Sequence, residues 1–160
     1  MNRRYFLKSS LAGAVAACLP YGHLLSATRI SGGVAAVTGS GSAITLEPGA
    51  LQELKDSLRG ALLLAGEPGY DQARRVLNES IDRHPALVVQ PSGVADIRTA
   101  VTFAKERDLL LAVKCGGHSY AGKSTCDRGM QIDLSRFRGV QIDPVSRTAR
   151  VAGGSLLGEL

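Results

Sequence analysis

Tryptophan is absent from this 160-residue chain, and phenylalanine and tyrosine together make up only 4% of it. No basic block is interleaved with those few rings, so nucleic acid is not an expected partner. Cysteine is scarce as well. Cys18, Cys115 and Cys126 do not make a disulfide framework, and their positions lack zinc-site spacing, so no metal is expected. Cys115 and Cys126 read as two free thiols near a loop, with pairing as the alternative. What remains has globular proportions, 44% hydrophobic and 21% charged, with length for about one domain.

The formal charge of +5 is inflated by the first residues. Asn2-Arg3-Arg4-Tyr5-Phe6-Leu7-Lys8 looks like a twin-arginine export signal, followed by a weakly apolar stretch, Ser9 to Leu19, that is too short to span a bilayer comfortably. Setting Arg3, Arg4 and Lys8 aside leaves 16 of the 19 basic residues against 14 acidic ones, a charge of +2. The expected signal peptide covers residues 1–27, with Ser26-Ala27 or the Ala35-Ala36 region as cleavage sites. Val15-Ala16-Ala17-Cys18 resembles a lipobox, which would make a lipid anchor at Cys18 the only membrane attachment. The location this implies is periplasmic or extracellular, reached by the twin-arginine route.

Residues 28–48 are rich in Gly, Ser, Ala and Thr and read as a flexible linker. Pro48-Gly49 then opens a helical pattern over 49–69, with Leu51, Leu54, Leu58 and Leu62 at spacings of three and four. Tyr70 to Arg83 reads as short helix or irregular structure, stopped at His84-Pro85. Leu87-Val88-Val89 is a strand candidate. Ser92 is placed to cap a helix whose apolar face is Val94, Ile97, Val101 and Ala104. Leu109–Val113, Met130–Leu134, Val140–Ile142 and Thr148–Ala152 read as further strands, and Leu156–Leu160 as the start of a helix. The order predicts an α+β fold with a small mixed sheet and flanking helices, and a helix cut after one turn suggests part of a larger protein.

Chemistry concentrates in Lys114-Cys115-Gly116-Gly117-His118-Ser119-Tyr120-Ala121-Gly122, between two apolar segments. Paired glycines after a strand let backbone N–H groups approach a phosphate closely, because no Cβ intervenes. An imidazole directly after them lies within reach of whatever the phosphates carry. Gly117 to Ser124 also matches the P-loop pattern letter for letter. That pattern needs a helix beginning at its Lys-Ser pair, whereas Thr125-Cys126-Asp127-Arg128-Gly129 has turn composition, so Lys123 and Ser124 are expected to be solvated loop residues.

From about Tyr70 to Leu160 the chain resembles the start of a PCMH-type FAD-binding domain of the vanillyl-alcohol-oxidase family, in its berberine-bridge-enzyme-like branch. The resemblance is carried in order by Gly69-Tyr70-Asp71, Pro85 to Pro91, Asp96-Ile97, Val101 to Ala104, Gly116-Gly117-His118-Ser119, Gly129 to Ser135 and Val151 to Gly154. It implies a partial FAD-binding domain over 70–160, incomplete at its C-terminus. It further implies that Lys114, Cys115, Gly116, Gly117, Ser119 and Tyr120 surround the FAD diphosphate, that His118 bonds covalently to the flavin, and that Gly153 and Gly154 form a second stretch along the cofactor. Lys114 stands where the family more often has arginine, and would meet phosphate as a point charge.

The activity implied is oxidation of an alcohol, sugar or amine-type C–H substrate, with electrons passed to oxygen or another acceptor. The partners are thus a small-molecule substrate and an electron acceptor. No catalytic base is assigned within this stretch. The alternatives are a truncated product without catalysis and the P-loop nucleotide-binding module.

Overall fold

The computed structural model describes residues 29–160, so the expected export signal and Cys18 lie outside the described residues. No helix among the described residues is long and apolar enough to cross a membrane.

The described part of the expected linker, 29–48, is not a tether. It forms an antiparallel hairpin, β1 (Val34–Val37) against β2 (Ala43–Leu46). Ala36 and Leu46 are buried in the main core. Gly41, at φ 90, turns the chain between the strands. The hairpin is tied down by Val37 N–H on Arg128 O (2.9 Å), Leu110 N–H on Val37 O (3.0 Å) and Gly39 N–H on Asp108 O (2.7 Å). Small residues hid the alternation, because Ala36 and Val37 are buried without being large.

The helix expected over 49–69 is also shorter. Helix α1 (Pro48–Ser57) buries Leu51 and Leu54, and the chain then turns into β3 (Ala61–Leu64), so Leu62 is a strand residue. The cause is Asp96. Its carboxylate accepts from Arg59 N–H (3.1 Å), Gly60 N–H (2.9 Å), Ser92 N–H (2.8 Å) and Ser92 Oγ (3.0 Å). Gly60 passes so close to Gln90 O that no Cβ would fit. Ser92 therefore does not cap the next helix by itself; the cap position is Gly93, and Ser92 donates to the first-turn Asp96.

That helix, α3 (Val94–Glu106), links β4 (Leu87–Gln90) to β5 (Leu111–Lys114). Strand β6 (Met130–Asp133) inserts between them, giving the sheet order β3-β4-β6-β5. β4, β6 and β5 run parallel, and β3 is antiparallel at the edge. Every residue of β4 and β6 is buried, as expected of parallel strands covered on both faces. Leu62, Leu87, Val89, Met130 and Ile132 pack with α1, α3 and the hairpin on one face. On the other, Val88 and Leu63 meet Tyr70 and Ala73 of the short helix α2 (Tyr70–Arg74). Tyr70 donates its hydroxyl to Pro85 O at 2.6 Å, and burial pushes its phenol pKa up. Strands β7 (Val140–Asp143) and β8 (Thr148–Val151) pair as a separate ribbon, and the expected final helix is one 3-10 turn, Leu157–Glu159. The small mixed sheet with flanking helices matches the α+β expectation.

Burial alone would raise the Asp96 carboxyl, but its backbone and Ser92 hydrogen bonds outweigh that and hold it below the ordinary value. The group then stabilises the fold above the unfolded carboxylate range and loses that contribution as pH falls through its lowered folded value. Asp96→Asn is expected to cost about 1–3 kcal/mol at pH 7 in urea unfolding. The gap to wild type should narrow on acidification below about pH 4. A gap independent of pH would contradict the assignment.

Candidate functional site

The loop from Cys115 to Gly122 leaves the carboxyl end of β5, beside the carboxyl end of β6. Ligands of open parallel sheets gather at that end, where successive connections diverge. Four of the loop's carbonyls are engaged within the chain. Gly117 O accepts from Leu77 N–H (3.0 Å), Ser119 O from Gly122 N–H (3.0 Å), Tyr120 O from Asn78 Nδ2 (3.0 Å), and Gly122 O from the Arg83 guanidinium (3.1 Å). Among the described residues, no acceptor takes the N–H groups of Cys115, Gly116, Gly117, His118, Ser119, Tyr120 or Ala121. Successive main-chain N–H groups without an acceptor in the chain are the kind of donor run that can receive an anion.

Gly117 makes the arrangement possible. It is buried, at φ 70, and a Cβ there would meet Val76 Cα at 3.3 Å. Gly116 is exposed, and the His118 imidazole folds back over it, filling the space a Cβ would take. His118 is itself exposed, as is Tyr120, which is 88% accessible, while Ser119 is half-buried. The Ser119 hydroxyl accepts from Lys123 N–H at 3.1 Å.

Of the second glycine pair, Gly153 alone meets this loop. A Cβ on exposed Gly153 would lie 3.3 Å from Cys115 Sγ, so the second glycine pair adjoins the first. Gly154 is buried against Leu134 O and donates its N–H to Phe137 O (2.9 Å), so it anchors the turn instead of facing the loop. Cys126 is a free, buried thiol pushed up to about 11 by burial, and Cys115 is free and half-buried, so the two do not form a disulfide.

Lys114 departs from expectation. Its side chain, 8% exposed, points into the protein. The ammonium donates to Ala73 O and to Arg75 O (3.3 Å) and lies 3.4 Å from Asp133 Oδ1. Its charge is engaged inside the fold, not offered to a phosphate at the loop surface. The P-loop alternative also fails, since turns follow Lys123-Ser124 and no helix begins there. Sequence reasoning missed Asp133, which pairs with Lys114, Gln90, which donates to Asp133, and Gln131, which shares the Ala73 carbonyl with Lys114. The available signal was a polar residue at each of three positions in strands otherwise wholly apolar.

Gly117→Ala places an L side chain in the left-handed region and against Val76, at an expected cost of about 1–2 kcal/mol. Gly116→Ala need only swing the His118 ring outward, so its melting temperature should stay within a few degrees of wild type while the imidazole NMR signals shift. Equal losses from both substitutions would contradict this geometry.

The sequence signature of an FAD binding domain matches residues 85–160. An FAD-linked oxidoreductase of Dictyostelium discoideum is 32% identical over 111 residues, which are 69% of this chain and 24% of that protein. The (R)-6-hydroxynicotine oxidase of Paenarthrobacter nicotinovorans is 27% identical over 104 residues, 65% of this chain and 23% of the relative. Among solved structures, BBE-like 1 of Physcomitrella patens superposes with a TM-score of 0.62 at 27% identity, covering 69% of this chain and 24% of the other. The chain thus spans about a quarter of the length of the relatives it matches. The fold and the glycine loop agree with these matches: residues 85–160 match an FAD binding domain, and the chain is similar to FAD-linked oxidoreductases, the berberine-bridge-enzyme-like proteins among them.

Proposed function

We propose that this chain supplies the diphosphate-binding part of an exported flavoprotein that oxidises a small alcohol, sugar or amine. The observation carrying the reading is the unengaged N–H run from Cys115 to Ala121, set at the carboxyl end of parallel strands with an exposed imidazole among them. Such donors fit a diphosphate, whose oxygens accept hydrogen bonds and carry the charge that oriented amides attract. In this reading Gly116, Gly117, Ser119 and their neighbours hold the diphosphate through main-chain N–H groups. Gly153, beside Cys115 Sγ, lines the same loop.

His118 is the attachment residue in this proposal. Its ring is exposed, and the smallness of Gly116 lets it lie flat on the loop or swing away from it. A ring nitrogen with a free lone pair is the nucleophile that a covalent link to the flavin requires. Bound FAD supplies a two-electron acceptor for a hydride from a substrate carbon bearing oxygen or nitrogen. This chain's residues bind and orient that group; the base acting on substrate is not assigned among them. The name of the hydroxynicotine oxidase supports an amine substrate as one member of the proposed class.

The test uses the protein expressed at the full length of its gene. Wild type should keep a yellow chromophore through acid precipitation, and His118→Ala should release all of it while still binding FAD reversibly. Acid-stable flavin in the variant would refute the attachment, and a colourless wild type would refute the function.

Export is a separate part of the proposal, resting on Arg3-Arg4 and the aromatic and lysine that follow. Replacing both arginines (Arg3→Lys with Arg4→Lys) should leave the product in the cytoplasm on cell fractionation. Unchanged export would remove this part alone.

A further inference from the structure

Lys114 and Asp133 face each other across β5 and β6 in direct register. Both are buried, Asp133 with 1% of its side chain accessible, and both are hydrogen-bonded on every side. Asp133 accepts from Gln90 Nε2 (2.9 Å) and Ser135 N–H (3.1 Å) as well as facing the ammonium. The strand ladder does not need this pair, since it runs unbroken from Leu111↔Met130 to Lys114↔Asp133. What the ammonium adds is reach. It takes two carbonyls, Ala73 O and Arg75 O, from a segment about forty residues earlier in the chain. Gln131 Nε2 takes Ala73 O as well, at 2.8 Å.

That segment runs on to Leu77, whose N–H holds Gly117 O, and Gly117 lies three residues beyond Lys114. The contacts therefore close a circuit: Lys114 side chain, strap 73–77, Gly117, and the main chain back to Lys114. Val76 also forms the wall against which Gly117 packs.

We propose that Lys114, with Asp133 as its countercharge, is a positioning residue for the anion-binding loop. It fixes the strap 73–77, and the strap fixes the Gly117 carbonyl so that the neighbouring amides, which have no acceptor among the described residues, keep their arrangement. The ligand part of this proposal rests on the reading of that loop as an FAD diphosphate cradle.

The decisive comparison is Lys114→Met alone against Lys114→Met with Asp133→Asn. The single variant leaves a buried carboxylate without its partner and should be strongly destabilised. The double variant removes both charges at similar volume and should recover most of the melting temperature. If Lys114 only balances Asp133, the double variant behaves as wild type in every respect. If it positions the loop, two readouts stay altered in the stable double variant. Without flavin, exchange of the Leu77 amide measured by NMR should be at least tenfold faster. In a His118→Ala background, which keeps binding reversible, FAD should bind at least tenfold more weakly.

Lys114→Arg, which keeps the charge and its donors, should restore both readouts. Wild-type Leu77 exchange together with wild-type FAD affinity in the double variant would overturn the proposal, as would Lys114→Arg behaving like Lys114→Met. A parent protein that binds no FAD would sink the proposed function, while the Leu77 comparison would still decide the positioning role.

Discussion

The whole carboxyl end of the sheet is organised around one buried ion pair, the ammonium of Lys114 against the carboxylate of Asp133. Two charges taken out of water are tolerated only where further hydrogen bonds complete their shells. That requirement recruits Gln90 from β4, Ser135 from the turn after β6, and two carbonyls from the segment behind α2. Four parts of the chain distant in sequence are thereby held at one place. The same face would otherwise be an ordinary apolar layer, as it is at Val88, Leu63 and Tyr70.

Polarity is divided along the loop. Leu77, Asn78 and Arg83 bind the carbonyls of Gly117, Tyr120 and Gly122, and the amides from Cys115 to Ala121 are left without a partner among the described residues. Buried backbone groups are nearly always paired, whereas the donors of this largely exposed loop are open to water or to a ligand. Glycine serves two purposes here. At 117 it allows a left-handed conformation in a buried place, and at 116 it leaves room for an imidazole.

Much of this was legible in the residues. The helix at 94–106, the apolar strands around it and the glycine-histidine loop follow from periodicity and from the order of motifs. The failures share a cause. Leu58 and Leu62 continue the spacing of Leu51 and Leu54, and nothing local reveals that Asp96, more than thirty residues away, captures Arg59 and Gly60 and ends the helix. The hairpin at 34–46 was hidden by small side chains whose burial comes from distant partners. Lys114 was misread because its role depends on strand register. Only the pairing of β5 with β6 brings Asp133 opposite to it. Local pattern reports what a segment prefers, and these three outcomes were settled by partners far along the chain.

β6 occupies the middle of the sheet although it follows both of its neighbours in sequence. During synthesis β4 and β5 therefore emerge with a gap between them, each offering an unsatisfied edge, until residues 130–133 leave the ribosome. A strand edge of that kind recruits foreign strands readily. For a nascent chain the hazardous interval is thus defined by geometry, and it closes with a single insertion that completes the hydrogen bonding of both edges together.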